Sequence, residues 1–403
     1  MKSLAYLSGA PRVSTRPEAG AAGPRTHVLG VMNAFRRLGW EVRPYIVGDR
    51  VPLEWVVGGA SERTLRRSPL KRIAADLARL CLGAIHGPRA LREIGQVDWV
   101  YERYGAFQAL GWWFQRQGIP WILETNAVLY REATQDRSTV ALPALLKRVE
   151  QWAYRKCDVL VCISQALAEL VIEETGIPKE KIIILPNGVD TEHLNPDRVE
   201  ARRFFEGPTL GFVGGLAPWQ RLDLLIDVLA ALREDGVQYN LVVVGDGPMR
   251  EAWEARAQGK GMGDQVRFVG QVPWEEVPAY IAGFDLGYAG AVPLAAGKMY
   301  LSPLKLYEYV AMGRPFVASA YDDARRLIAD GAVGYLFEPG NPEDLKRVLR
   351  VAYDERSGWT VMGRRSREVV KQKHSWEARV QTLISQVEAI LASQNEATDH
   401  TRR

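Results

Sequence analysis

Short apolar runs alternate with amphipathic stretches along nearly the whole chain, and the same order occurs twice. In the first half, residues 4–7, 41–47, 97–104, 119–123, 159–163 and 182–185 are bounded, strand-length runs. Between them lie helical repeats. Val28, Leu29, Val31, Met32, Phe35 and Leu38 form one, and Leu70, Ile73, Leu77 and Leu80 another. Further helices are predicted through Trp112, Trp113 and Phe114, over 142–156, and from an N-cap at Ser164 to Glu174. A polar linker over 191–207 precedes a second round. Strands at 209–213, 241–244, 266–269, 285–288, 316–318 and 335–337 alternate with helices, among them one carrying Leu224, Leu225, Val228, Leu229 and Leu232. Ser375 caps a long last helix through Leu391. This pattern predicts an α/β chain of two Rossmann-like domains facing each other across a cleft. The expected division is 1–190, 191–370, and a terminal helix with a polar tail over 371–403.

Length agrees, since 403 residues exceed one ordinary core. The net charge of +4 is unevenly spread: residues 61–92 hold eight cations (Arg63, Arg66, Arg67, Lys71, Arg72, Arg79, Arg89 and Arg92) against Glu62 and Asp76. The remainder is slightly acidic, and no nucleic-acid partner is expected. The helix opened by Pro69 has two readings: its cations line a solvated face, or they rest on anionic lipid as a peripheral membrane contact. Three cysteines, Cys81, Cys157 and Cys162, suggest no disulfide framework. No signal peptide and no membrane-spanning run is read, so the expectation is a cytoplasmic protein, or one at the inner face of the membrane.

Chemistry gathers where strands end. The loop over 9–24 is rich in Gly, Pro and Arg and opens the first βα unit without the dinucleotide spacing, so an NAD reading is weak. Arg25 follows it. Glu102, Arg103, Glu124 and Asn126 lie at the carboxyl ends of later strands, where open α/β sheets hold ligands, although Glu102 and Arg103 could equally pair with each other. In the second half, Ser302-Pro303-Leu304-Lys305 reads as an N-cap, a first-position proline and a helix start, with Gly313 and Pro315 ending the helix. Backbone amides, a positive dipole end and the Lys305 ammonium would there form an anion site. The alternative is an ordinary helix with a Lys305–Glu308 surface pair. No Asp-x-Asp pair occurs and the five histidines lack ligand spacing, so no metal is expected.

These pieces together resemble the retaining glycosyltransferases of family 4, which have the GT-B fold. The likeness spans nearly the whole chain. It rests on the Gly-rich first loop, Pro186-Asn187-Gly188-Val189-Asp190, Phe212-Val213-Gly214, Val244-Gly245-Asp246-Gly247-Pro248, and Glu308 with Ala311-Met312-Gly313-Arg314-Pro315. Ser302-Pro303-Leu304-Lys305 is similar to a bacterial subgroup acting in polysaccharide and glycolipid assembly. The resemblance implies a nucleotide-diphosphate sugar as substrate, no cofactor, and a glycan, glycolipid or small-molecule acceptor. It implies a donor site made of Gly23, Gly214, Gly215, Gln220, Arg221, Gly245, Asp246, Ser302, Pro303, Leu304, Lys305 and Glu308. Glu308 would hold the ribose, the helix start the diphosphate, and Gly23 would approach from the first domain, to which the last helix returns. Arg25, Glu102, Arg103, Glu124 and Asn126 would face the acceptor.

Three departures stand out. Tyr300 replaces the first of the family's paired glutamates. Gly215 and Gln220 replace an arginine and a lysine, leaving Arg221 and Lys305 as the cations. Asn126 replaces a histidine. The expected activity is metal-independent hexosyl transfer with retention, in which Lys305, Arg221 and Glu308 carry the catalytic roles and the departing phosphate takes the acceptor's proton. Two alternatives remain: a sugar-nucleotide epimerase, which would act on donor alone, and a catalytically silent subunit that binds sugar nucleotide without turnover.

Overall fold

A computed structural model describes residues 1–19, 23–57, 68–136, 138–293 and 297–402. Residues 61–67 of the basic segment, with Arg63, Arg66 and Arg67, lie outside the described residues, as does Gly20 of the first loop. Two six-stranded sheets organise the chain, and every paired strand runs parallel to its neighbours. The first comprises β1 (Ser3–Ser8), β2 (Glu41–Ile46), β3 (Trp99–Arg103), β4 (Trp121–Thr125), β5 (Val159–Cys162) and β6 (Ile182–Ile184), in the order β2-β1-β3-β4-β5-β6. The second comprises β7 (Thr209–Val213), β8 (Asn240–Val244), β9 (Val266–Gly270), β10 (Leu286–Ala289), β11 (Phe316–Ser319) and β12 (Gly334–Phe337), in the order β12-β11-β10-β7-β8-β9. Helices cover both faces, which is why the central strands are nearly continuous apolar runs. Strand order reverses between β1 and β3 and between β7 and β10, opening a crevice at the carboxyl ends of each sheet.

Seven helices matter below: α1 (Gly23–Arg37), α2 (Pro69–Ile94), α3 (Gln165–Thr175), α4 (Leu304–Ala311), α5 (Asp322–Ala329), α6 (Trp359–Lys373) and α7 (Trp376–Arg402). Ser164 caps α3 through the Leu167 amide at 3.1 Å, as its position suggests. Gly313, just past α4, takes φ +63°. Helix α6 is not legible in the sequence, because polar residues interrupt its apolar positions. It is held by tertiary contacts instead: buried Arg367 donates to the carbonyls of Leu194, at 2.8 Å, and Ala311.

Helix α7 lies with the first sheet. Val380, Leu383, Ile384 and Val387 join a core with Val28, Val31, Ile122 and Val161. Trp376 is the pivot. A Cβ on Gly30 of α1 would come within 2.1 Å of its indole, and one on Gly188 within 2.9 Å, so small residues on both sides admit the ring. The chain there bridges to the turn after β6, with the Trp376 amide donating to Val189 at 3.0 Å. The stripe predicted on α2 behaves otherwise. Leu70, Ile73 and Leu77 are 78%, 38% and 51% exposed, and only Leu80 of that set is half-buried.

Candidate functional site

The second sheet places its glycine turns at the switch point. Gly214 follows β7 and Gly245 follows β8, with φ of +134° and +133°, values that favour glycine. The turns interlock, for a Cβ on Gly245 would lie 2.0 Å from the Gly214 carbonyl oxygen. Lys305 of α4 reaches this point. Its Nζ donates to Gln220 Oε1 at 3.1 Å, rests 3.7 Å over the Phe212 ring, and would stand 3.3 Å from a Cβ on Gly214. The ammonium thus lies beside Gln220, one of the two positions where a family cation is absent. Burial pushes Lys305 down to about 7, against the pull of Glu308. Burial likewise pushes Glu308 up to about 7, against the pull of Lys305. Lys305 is thus buried and Glu308 half-buried, with no ion pair between them among the described residues, so they are not the surface pair that the sequence allows. The Glu308 carboxylate makes no hydrogen bond among the described residues.

Arg221 follows Gln220 with φ +48°, uncommon for a residue with a side chain. Its Nε donates to both Asp223 oxygens, at 3.0 and 3.1 Å, so the cation is shared with its own helix. Gly215 has open space around it. Asp246 is occupied in its own turn, accepting from the Gly247 amide at 2.7 Å.

The start of α4 differs from the expected cap. Pro303 takes the N-cap position, without a side-chain cap bond, and the helix begins at Leu304. Ser302 is pulled away because its hydroxyl serves two other partners, accepting from the Asn187 amide at 3.0 Å and donating to Asp323 of α5. The Leu306 amide in the first turn of α4 donates to the Pro303 carbonyl at 3.2 Å, and no side chain caps the amides ahead of it. Leu304 Cδ1 lies 3.7 Å from where a Gly23 Cβ would be, so the first turns of α1 and α4 meet across the two halves. Tyr300, at the place of the missing glutamate, is buried among first-domain core residues, and its carbonyl accepts from Ser164 at 2.8 Å.

On the first sheet, adjacent strand residues face opposite sides. Arg103 and Asn126 meet at 3.4 Å, and Asn126 Nδ2 donates to Glu124. Glu102 is a correction. It points to the other face, where its oxygens accept the Leu110 and Gly111 amides at 2.9 and 2.8 Å, and so it neither faces an acceptor nor pairs with Arg103. Burial pushes it up to about 7 in spite of those bonds. Burial would raise Glu124 too, but the ring of His27, Arg103 and the Tyr101 hydroxyl outweigh it and hold Glu124 down at about 2. Arg25 is buried, with Nε 3.4 Å from the Thr15 carbonyl and its guanidinium 5.9 Å over Trp274 of the second half.

Sequence reasoning missed His27 and Asn187. His27 Nε2 lies 2.9 Å from Glu124, and Nδ1 lies 2.8 Å from Asn187 Oδ1. The only available signal was a histidine just ahead of the apolar repeat of α1, at the end of the Gly-rich loop.

Comparison with known proteins agrees with this geometry. Residues 21–193 match the family described as Glycosyltransferase Family 4, and residues 207–355 match Glycosyl transferases group 1. The chain is 26% identical to D-inositol 3-phosphate glycosyltransferase of Geodermatophilus obscurus over 410 residues, covering 95% of this chain and 88% of that one. Sucrose-phosphate synthase from Thermosynechococcus elongatus superposes with a TM-score of 0.70 at 16% identity, over 98% of this chain and 100% of that one. Anabaena HepE in complex with UDP-glucose superposes with a TM-score of 0.64 at 16% identity, over 98% and 100%.

Proposed function

The chain belongs to the family 4 glycosyltransferases of GT-B fold, and on that premise we propose that it moves a hexosyl group from a nucleotide-diphosphate sugar to a hydroxylated acceptor, with retention and without a metal. One observation carries the reading: Lys305 Nζ sits against the Gly214 turn while the start of its own helix meets the start of α1. Two helix N-termini and an ammonium then surround one spot, a setting suited to the charge that develops on a departing diphosphate. Glu308, without a partner among the described residues, suits the ribose hydroxyls. Arg221, next to Gln220 in the chain, is a second cation, held by Asp223. With Glu102 taken up by backbone amides, the acceptor side reduces to Arg25, Arg103, Glu124 and Asn126, none of which is needed as a base if the leaving phosphate takes the acceptor's proton.

Calorimetry against UDP-, GDP- and ADP-sugars, followed by transfer assays on a panel of acceptors, tests this. The panel includes polyol phosphates, the class named for the Geodermatophilus relative. One donor is expected to bind and to yield a product with the donor's anomeric configuration, in the presence of chelator. Lys305→Ala is expected to lower kcat by about 10²–10³-fold. Conversion of the donor without acceptor would mark an epimerase, and binding without turnover a silent subunit. Either result defeats the proposal.

A peripheral membrane contact is part of this reading. Among the described residues ten large apolar side chains are exposed, and four of them, Leu70, Ile73, Leu77 and Ile85, lie along α2. Lys71 and Arg72 begin that helix. Arg89 and Arg92 near its end line a hollow of about 330 Å³ with Tyr45, Arg50, His86 and Glu93. An apolar stripe with cations at both ends suits an anionic lipid surface. No described helix is long and apolar enough to cross a membrane.

A further inference from the structure

A file of buried polar groups runs through the boundary between the two halves. It begins at Glu124 on β4, passes to His27 on α1, then to Asn187 in the turn after β6, then to Ser302 before α4, and ends at Asp323 on α5. All five are more than nine-tenths buried. The crossing is double: the Asn187 amide donates to Ser302 Oγ at 3.0 Å, and its side-chain Nδ2 donates to the Ser302 carbonyl at 2.6 Å. Burying this many polar groups is costly unless every one is satisfied, so their placement is tightly specified.

The direction of each bond follows from its partners. Asn187 Nδ2 must face the Ser302 carbonyl, which leaves Oδ1 to accept from His27 Nδ1. His27 Nε2 faces the carboxylate of Glu124 at 2.9 Å. Trp376 closes the site edge-on, 5.0 Å from the ring.

We infer that His27 and Asn187 are positioning residues: they strap the first turn of α4 to the acceptor-side carboxylate and so fix the separation between the donor and acceptor halves of the site. The inference rests on the proposed transferase reading. The reason to assign this role is the position of Ser302. It is two residues before Leu304 and three before Lys305, so the strap ends next to the turn that would hold the diphosphate. Gly214, Gln220, Lys305 and Glu308 all belong to the second half and form their donor contacts without the strap, which leaves only the approach of α1 to the diphosphate dependent on it. Loss of the strap should therefore leave donor affinity nearly intact and slow the transfer step.

Three variants test this: His27→Gln, Asn187→Ala and the double variant. Each is measured for binding of the nucleoside diphosphate found in the donor screen and for kcat and acceptor KM. Single variants are expected to keep the dissociation constant within about threefold while kcat falls at least tenfold. The double variant is expected to be no worse than either single one, because the file acts as a unit. Parallel loss of nucleotide binding, additive losses, or an unchanged kcat overturns the inference.

Should those variants fail to fold, Ser302→Ala removes only the hydroxyl and leaves the Asn187 side-chain bond to the main chain. It is expected to reduce kcat at constant nucleotide affinity, and full kcat would count against the strap. Hydrogen exchange of the Asn187 amide separates the two readings, since it needs no substrate. The amide is expected to exchange at least tenfold faster in Ser302→Ala than in the unaltered chain. Equal rates refute the strap even if transfer is confirmed, whereas faster exchange without any donor binding refutes the transferase reading alone.

Discussion

Glu102 and Arg103 are neighbours in sequence, yet they ended on opposite faces of β3 with unrelated tasks. The two buried carboxylates Glu102 and Glu124 diverge similarly: the first meets only neutral donors and is pushed up to about 7, the second meets the ring of His27, Arg103 and the Tyr101 hydroxyl and is held at about 2. Lys305 gives a residue-scale prediction. Unliganded, burial lowers it to about 7, so above that pH it is mostly neutral. A diphosphate beside Nζ favours the ammonium, so binding above pH 7 is expected to take up a proton. Affinity should then weaken with rising pH by up to about tenfold per unit. Calorimetry at pH 8 in two buffers of different ionisation enthalpy measures the uptake directly. Lys305→Met is expected to abolish it, and equal uptake in that variant would assign the proton elsewhere.

At the scale of elements, α4 and α2 show how the same signals serve different ends. Helix α4 is short and buried nearly all round, so its apolar residues say little about which face meets the sheet. Its polar pair is distinguished only by what lies opposite, namely the glycine turns. Helix α2 has the right period for an amphipathic helix, but periodicity does not say which side is covered. Here the apolar side is open. Replacing Ile73 and Leu77 together by Asp is expected to leave the melting temperature within a degree or so, since exposed positions seldom change stability by more than about 0.5 kcal/mol. The same change should abolish co-sedimentation with phosphatidylglycerol vesicles. Retained binding by the double variant would remove α2 as the contact.

For the whole molecule, the return of α7 to the first sheet makes the two halves depend on one another. Trp376 is the fastening point, wedged between Gly30 and Gly188 and edge-on to His27. Trp376→Ala is expected to cost about 3–5 kcal/mol, the range for a buried aromatic that leaves a cavity, and urea denaturation of the full chain measures it. A loss below about 1 kcal/mol would mean that α7 is held mainly by its aliphatic residues, Val380, Leu383, Ile384 and Val387. The turn after β6 is the counterpart to that wedge. Its Asn187 side chain and main chain tie the loop before α4, so one tight turn touches both the last helix and the candidate donor site.

The succession of strands and helices along the chain, the doubling of the βα pattern and the glycine turns were legible because they depend on periods of two and 3.6 and on local backbone geometry. The placement of Lys305 in the first turn of a helix was legible too, since Pro303 and Gly313 bracket that helix in the sequence. What lay beyond reach was which polar groups far apart in the chain would meet. Ser302 has the chemistry of a cap, but a hydroxyl bonds wherever the fold brings the better partners, and Asn187 and Asp323 came from 115 and 21 positions away. His27 carries no local signal of its role, which arises only where β4 and the turn after β6 close around it. Local propensity sets which element forms; only the packed chain decides which polar groups are left without water and must find one another.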